Sequence, residues 1–173
     1  DFDFSDDQEQ LRDAVRKWVD KGYDFERRRA AVKAGGFSRD AYVELAELGL
    51  CGLYIPEDQG GLGMGPVEGM VVMEELGRGI VLEPFTHTLI AGGILSGYAP
   101  DAVKAAWLPG IAGGEKLVVL AYQERANRYK LNSCAATAQS GSAGWTVSGS
   151  KSIVAAGDVA DAYLVPAKAD GKV

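Results

Sequence analysis

Few residues of this 173-residue chain have types and spacings that could carry chemistry: two cysteines, one histidine, an acidic pair and a glycine cluster. Cys51 and Cys134 lie in different segments without metal-ligand spacing. With His87 the only imidazole, a zinc site has almost no material to work with, so no metal is expected. The cysteine usage fits a reduced, cytoplasmic protein, with a disulfide as the alternative. His87 follows Pro84 and Phe85 and reads as a packed helix residue rather than a catalytic base. Glu74 and Glu75 are adjacent on a predicted helix and point in different directions, which makes them a poor acid/base pair. Glu74 stands four residues before Arg78, the spacing of an ion pair or cap partner. Gly60, Gly61 and Gly63 permit close backbone approach and could cradle a phosphate. No P-loop lysine follows them, and no helix opens with GxGxxG.

Charge narrows the partners. The net charge of −6 argues against nucleic acid, which needs a clustered basic face. Arg27, Arg28 and Arg29 form the only short basic run, and Asp24 and Glu26 beside it suggest a solvated face. No apolar stretch reaches the roughly 20 residues of a membrane span, and the acidic start lacks signal-peptide character.

The elements that must position any site change character near residue 115. Before it, apolar residues recur at helical spacing. Leu11, Val15, Trp18 and Val19 share a face behind a capping box of Ser5 and Gln8, with Asp6 and Asp7 in the first turn. Ser38 is predicted to cap a helix presenting Ala41, Leu45 and Leu48 and ending at Gly49. Pro66 opens a third helix through about Leu76, and further helices are predicted over Pro84–Ser96 and Pro100–Ile111. After Glu115 the pattern is extended. Strands are predicted over 117–122, 135–138, 145–148, 152–155 and 162–165, separated by small-residue turns such as 139–144. The expectation is an α+β multi-domain protein: an all-α domain over 1–115, then an incomplete antiparallel β-domain over 116–173. The β part is short for an independent barrel, which predicts a longer protein.

Several motifs in order carry a family resemblance. Residues 47–63 read ELGLCGLYIPEDQGGLG, residues 74–78 read EELGR, and Trp107–Glu115 read WLPGIAGGE. Thr137-Ala138, Gly144-Trp145, Ser148-Gly149-Ser150-Lys151 and Ala160-Asp161 follow at family-like spacing. Together they resemble the N-terminal region of acyl-CoA dehydrogenases over nearly the whole chain. The resemblance implies a helical domain, a β-domain and a C-terminal four-helix bundle, the last absent from this sequence. It also implies FAD and α,β-desaturation of an acyl-CoA thioester. A carboxylate removes the α-proton and the β-hydrogen leaves as hydride to the flavin. The family's catalytic glutamate belongs to the bundle, beyond Val173, so no catalytic residue is assigned here.

The flavin motifs diverge. Typical members carry an ALTEP-like segment and GAGSD, where this chain has Leu120-Ala121-Tyr122-Gln123-Glu124-Arg125 and then Ala126–Tyr129. The second motif, KxWIT, reads Lys151-Ser152-Ile153-Val154-Ala155. The resemblance places Tyr122, Gln123, Glu124, Ile153, Val154 and Ala155 at the cofactor and Tyr129 at the substrate. Gln123 replaces a threonine, and Ala155 removes a hydroxyl. Such divergence resembles the smaller subunits of heteromeric acyl-CoA dehydrogenases, such as those of the pimeloyl-CoA type. It implies a homo- or hetero-oligomer of related chains, with an electron-transfer flavoprotein as acceptor. The alternative is a partner or scaffold subunit with a degenerate flavin site.

Overall fold

A computed structural model of the chain describes residues 3–127, 130 and 132–173. Helix α1 (Asp6–Gly22) starts at the expected capping box: the Gln8 amide donates to Ser5 Oγ, and the Ser5 amide to Gln8 Oε1. Helix α3 (Arg39–Glu47) is capped by Ser38, and α4 (Pro66–Arg78) carries Pro66 at its first position. Helices α5 (Phe85–Tyr98) and α6 (Asp101–Ala112) complete the set, with Pro109 tolerated inside α6.

Helix α2 (Phe25–Lys33), capped by Asp24, was not predicted as a helix from its pattern. Ala31 is its only buried residue, so it lacks the apolar stripe by which amphipathic helices are read. Two of its three arginines are tied to the fold, while Arg29 is exposed. Arg27 pairs with Glu44 of α3 at 2.8 Å, and Arg28 donates to the Gly79 carbonyl at 2.8 Å.

The ion pair expected between Glu74 and Arg78 is displaced by one residue. Arg78 instead pairs with Glu75 (2.9 Å) and with Asp20 of α1 (2.8 Å), while Glu74 is exposed, 4.0 Å from Arg12. Glu75 lies on the face of α4 that packs on α1, where Arg16 also meets it at 2.6 Å. Burial of that face, rather than the i,i+4 spacing, selects the partner.

Four short strands follow the helices. Strands β2 (Thr137–Gly141) and β3 (Gly144–Ser148) form an antiparallel hairpin, so the turn shrinks to Ser142 and Ala143. Strand β1 (Val118–Leu120) pairs with β4 (Ala162–Leu164) in parallel rather than antiparallel fashion. A hairpin loop forces reversal, whereas the long excursion between these two strands leaves the chain free to return in the same direction. Residues 152–155 are not a strand. Ile153 and Ala156 take left-handed φ of 54° and 55°, and the Gly157 amide closes a turn onto the Val154 carbonyl.

Strand β1 lies between two apolar clusters. Alternation sends Leu117 and Val119 into the larger, with Val15, Tyr42, Leu45, Leu50, Leu53 and Val72. Val118 enters the smaller, with Ile55, Ala91, Leu95, Leu108 and Ile111. Among the described residues no helix is long and apolar enough to cross a membrane.

Candidate functional site

The glycine loop spends its amides on its own fold. Gly61 donates to Pro56, Leu62 to Gly52, Gly63 to Ile55 and Met64 to Leu53, each carbonyl 2.8–3.0 Å away. A Cβ at Gly61 would fall on the Ile55 carbonyl oxygen, so glycine is required there for close packing. The loop is therefore a structural fold-back without a phosphate cradle. The thiols are equally quiet. Cys51 and Cys134 are buried and free, and burial pushes Cys51 up to about 12, far from thiolate chemistry. No group of three or more His, Cys, Asp or Glu among the described residues could hold a metal.

The two segments expected from sequence at a flavin come together. The Ser152 amide donates to the Gln123 carbonyl at 2.9 Å, and Lys151 Nζ lies 2.7 Å from Glu124 Oε1. Glu124 is 95% buried, at 5% relative exposure. Its Oε1 also accepts from the Ala136 amide (3.0 Å), and its Oε2 from Ala135 N–H and Asn127 Nδ2. The ion pair with Lys151, then the amides of Ala135 and Ala136, hold this carboxyl down to about 2. Its oxygens are engaged by protein donors, so Glu124 latches residues 123–127, 134–136 and 151–152 into one unit.

What this unit presents outward differs along its length. Tyr122 and Gln123 are half-buried neighbours, with Gln123 Nε2 donating to the Tyr122 hydroxyl at 3.1 Å. Val154 turns its side chain into the larger core cluster, leaving only its backbone for a ligand. Ile153 is 88% exposed in a left-handed conformation that is costly for a β-branched residue. Ala155 is exposed and carries no hydroxyl. Tyr129 lies outside the described residues.

Beside Ala155 opens a cavity of about 480 Å³. One wall is Ala155, Ala156, Asp158 and Val159, and another is the run from Val81 to His87 joining α4 to α5. Phe37, Met73 and Leu76 add apolar surface to a lining that also carries Glu83, Thr86, His87 and Asp158, so the cavity is of mixed character. His87, read from sequence as a packed helix residue, sits half-buried at this wall. Sequence reasoning missed Glu83, which is buried in the same wall. A glutamate before a proline carries no local signal of burial.

The acyl-CoA dehydrogenase N-terminal domain, as a family, matches residues 5–115. The chain belongs to the acyl-CoA dehydrogenase family. It is 30% identical over 171 residues to acyl-CoA dehydrogenase FadE12 of Mycobacterium tuberculosis, covering 96% of this chain and 43% of that protein. It is 36% identical over 152 residues to (2S)-methylsuccinyl-CoA dehydrogenase of Cereibacter sphaeroides, covering 83% of this chain and 26% of the relative. The fold superposes on the ChsE4-ChsE5 complex from Mycobacterium tuberculosis with a TM-score of 0.87 at 25% identity, covering 99% of this chain and 46% of that one. The chain thus spans less than half the length of these relatives.

Proposed function

We propose that this chain is the helical domain (1–115) and the start of the middle β-domain (116–173) of a FAD-dependent acyl-CoA dehydrogenase or of a subunit of a heteromeric one. The observation that carries the reading is the latched pair of segments, 122–124 and 151–155, opening beside a cavity of about 480 Å³ whose lining mixes apolar and polar side chains. The latched surface fits a flavin edge. Exposed Ile153 offers an apolar face, Gln123 a side-chain amide, and Ile153, Val154 and Ala155 backbone amides that make no hydrogen bond among the described residues. FAD, when bound, supplies the hydride acceptor for desaturation. Tyr122, Gln123, Ile153 and Ala155 orient it, Glu124 and Lys151 fix the segments bearing them, and the cavity wall excludes water from the acyl chain. Retention by Gln123 and backbone amides alone, without the hydroxyl lost at Ala155, is weaker by about 1 kcal/mol per missing bond.

The acyl-CoA substrate rests on family membership and on the names of the relatives. The proton-abstracting carboxylate is supplied from outside these 173 residues. Related chains complete the assembly, and an electron-transfer flavoprotein serves as acceptor. A second reading, a partner subunit that shapes a neighbour's site, is favoured by the changes at Gln123 and Ala155.

Flavin absorbance of the purified full-length protein separates the two. A yellow protein bleached by an acyl-CoA supports the first reading. A colourless protein that stays so with added FAD, yet confers activity on a co-expressed homologous chain, supports the second. A colourless protein inactive with every homologous partner overturns both.

A further inference from the structure

Residues 153–160, which supply one wall of the cavity, are anchored firmly at both ends and lightly in between. At the first end the Ser152 amide donates to the Gln123 carbonyl, and Lys151 is locked to the buried Glu124. At the second the Asp161 amide donates to the Leu117 carbonyl at 2.8 Å, and Asp161 Oδ2 accepts the Leu117 amide at 2.6 Å. Arg39 of α3 lies 3.7 Å from the same carboxylate oxygen.

Between these anchors the hydrogen bonds turn inward. Gly157 donates to the Val154 carbonyl and Val159 to the Ala156 carbonyl, closing two turns within the segment. Among the described residues the only bond from outside is that of the Tyr163 hydroxyl, which donates to the Gly157 carbonyl. No residue from 153 to 160 belongs to a strand, and none is fully buried. The underside consists of Val154, Ala156, Val159 and Ala160, partly buried against the helical core. Ile153 and Ala156 meanwhile hold left-handed φ of 54° and 55°, a strain that persists where surrounding contacts enforce it. Few contacts enforce it here. A segment with little buried apolar area, no ladder and stored strain belongs to the low-stability end of a fold. The opposite walls, 35–37 and 81–87, belong to the helical region, so displacing 153–160 removes one wall of the cavity while both anchors stay made.

We infer that residues 153–160 form a strap that swings away from the helical core about Ser152 and Asp161, admits an occupant to the cavity and closes over it. The occupant supplies contacts that the strap lacks on its own, so binding draws the equilibrium towards the closed form. Ile153 and Ala155 ride on the strap. On the flavin reading above, filling the cavity with an acyl chain therefore also fixes the surface offered to the flavin. The movement itself does not rest on that reading.

The test places nitroxide labels at Asp158→Cys and Tyr98→Cys in the full-length protein, with other accessible cysteines replaced by serine. Asp158 is exposed on the strap. Tyr98, 87% exposed, ends α5 roughly 17 Å along the helix from His87 at about 1.5 Å per residue. Pulsed electron paramagnetic resonance should show a main distance and a second one carrying about a tenth of the population. Acetyl-, octanoyl- and hexadecanoyl-CoA are then added in turn, with binding measured by calorimetry on labelled and unlabelled protein. A thioester that binds should abolish the second distance. Tyr163→Phe, which removes the one outside hydrogen bond, should raise the second population by about 3-fold. Ala156→Gly should lower it by about 3-fold, because glycine adopts the left-handed φ without strain. A single distance that Tyr163→Phe does not split would overturn the strap, whether or not a thioester binds. Two distances that ignore both variants, or that a bound thioester leaves unmoved, would overturn it as well. Two distances that respond to both variants in a protein binding none of the three thioesters would uphold the strap and bring down the acyl-CoA reading instead.

Discussion

Each of the two regions of this molecule is tied within itself by a buried glutamate, against a different background. Glu75 joins α1 to α4 through Arg16 and Arg78, inside a helical region that also buries Val15, Val72, Leu45 and Leu50. Glu124 joins residues 123–127, 134–136 and 151–152, where, among the described residues, the only buried apolar neighbours in sequence are Ala121, Cys134 and Ala136. In the first region the carboxylate supplements a core. In the second it stands in for one. The neighbouring β2–β3 hairpin makes the contrast sharper: all five residues of β3 are exposed, Trp145 at 66%. Polar ties of this kind fix geometry without contributing much area burial.

Substitution can break this comparison at several strengths. The largest effect belongs to the helical core. Leu45 is fully buried, and Leu45→Ala should destabilise the whole chain by about 2–5 kcal/mol, read from denaturant midpoints. A loss under about 1 kcal/mol would show that the helical region does not rest on this core.

Glu124→Ala should act more locally. It strands the Lys151 ammonium, whose side chain is 8% exposed, and frees the amides of Ala135 and Ala136. Hydrogen exchange across 123–136 and at 151–152 should accelerate by roughly 100-fold, with α1, α3 and α4 little changed. Uniform acceleration of both regions would erase the distinction between them.

Acid should reproduce part of that loss without mutation. Glu124 is held down to about 2 against an ordinary value of 4.5, so its stabilising contribution is complete above about 4.5 and is lost as pH falls from there towards 2. Glu75 and Glu44 are also lowered, chiefly by Arg16 and Arg27 respectively, but their helices keep an apolar core when the carboxylates protonate. Rate-corrected exchange along an acid series should therefore show residues 123–152 opening at higher pH than α1–α4. Simultaneous opening would contradict the assignment.

The smallest effect is expected at the hairpin. Trp145→Ala removes a mostly solvated side chain and should shift thermal stability by within about 0.5 kcal/mol. A larger loss would mean that the hairpin is packed against something in the whole protein.

Much of the helical region was legible in sequence because its signals are local. The Ser5–Gln8 box, the Ser38 cap and Pro66 at the start of α4 each act within one turn of the residue that carries them. Helix α2 escaped because it is tied down by arginines rather than by an apolar stripe. The direction of β4 escaped because strand polarity depends on the path between partners, not on the strand itself. At the candidate site, the positions of Gln123, Glu124 and residues 151–155 were readable from motif resemblance. Their division into an inward latch and an outward face was not, since it depends on the left-handed turn at Ile153. Glu83 was invisible for the same kind of reason: its meaning comes from Ser38, 45 residues away.

The placement of β1 has a bearing on how this architecture could be cut and recombined. Leu117 and Val119 complete one cluster, Val118 the other, and the Leu117 amide is held by Asp161 at 2.6 Å. A gene truncated after residue 115 would keep six helices and yet leave a slot in both of their interiors. Shuffling the helical half onto a foreign β-domain would succeed only if the newcomer brought its own three-residue apolar plug in the same register.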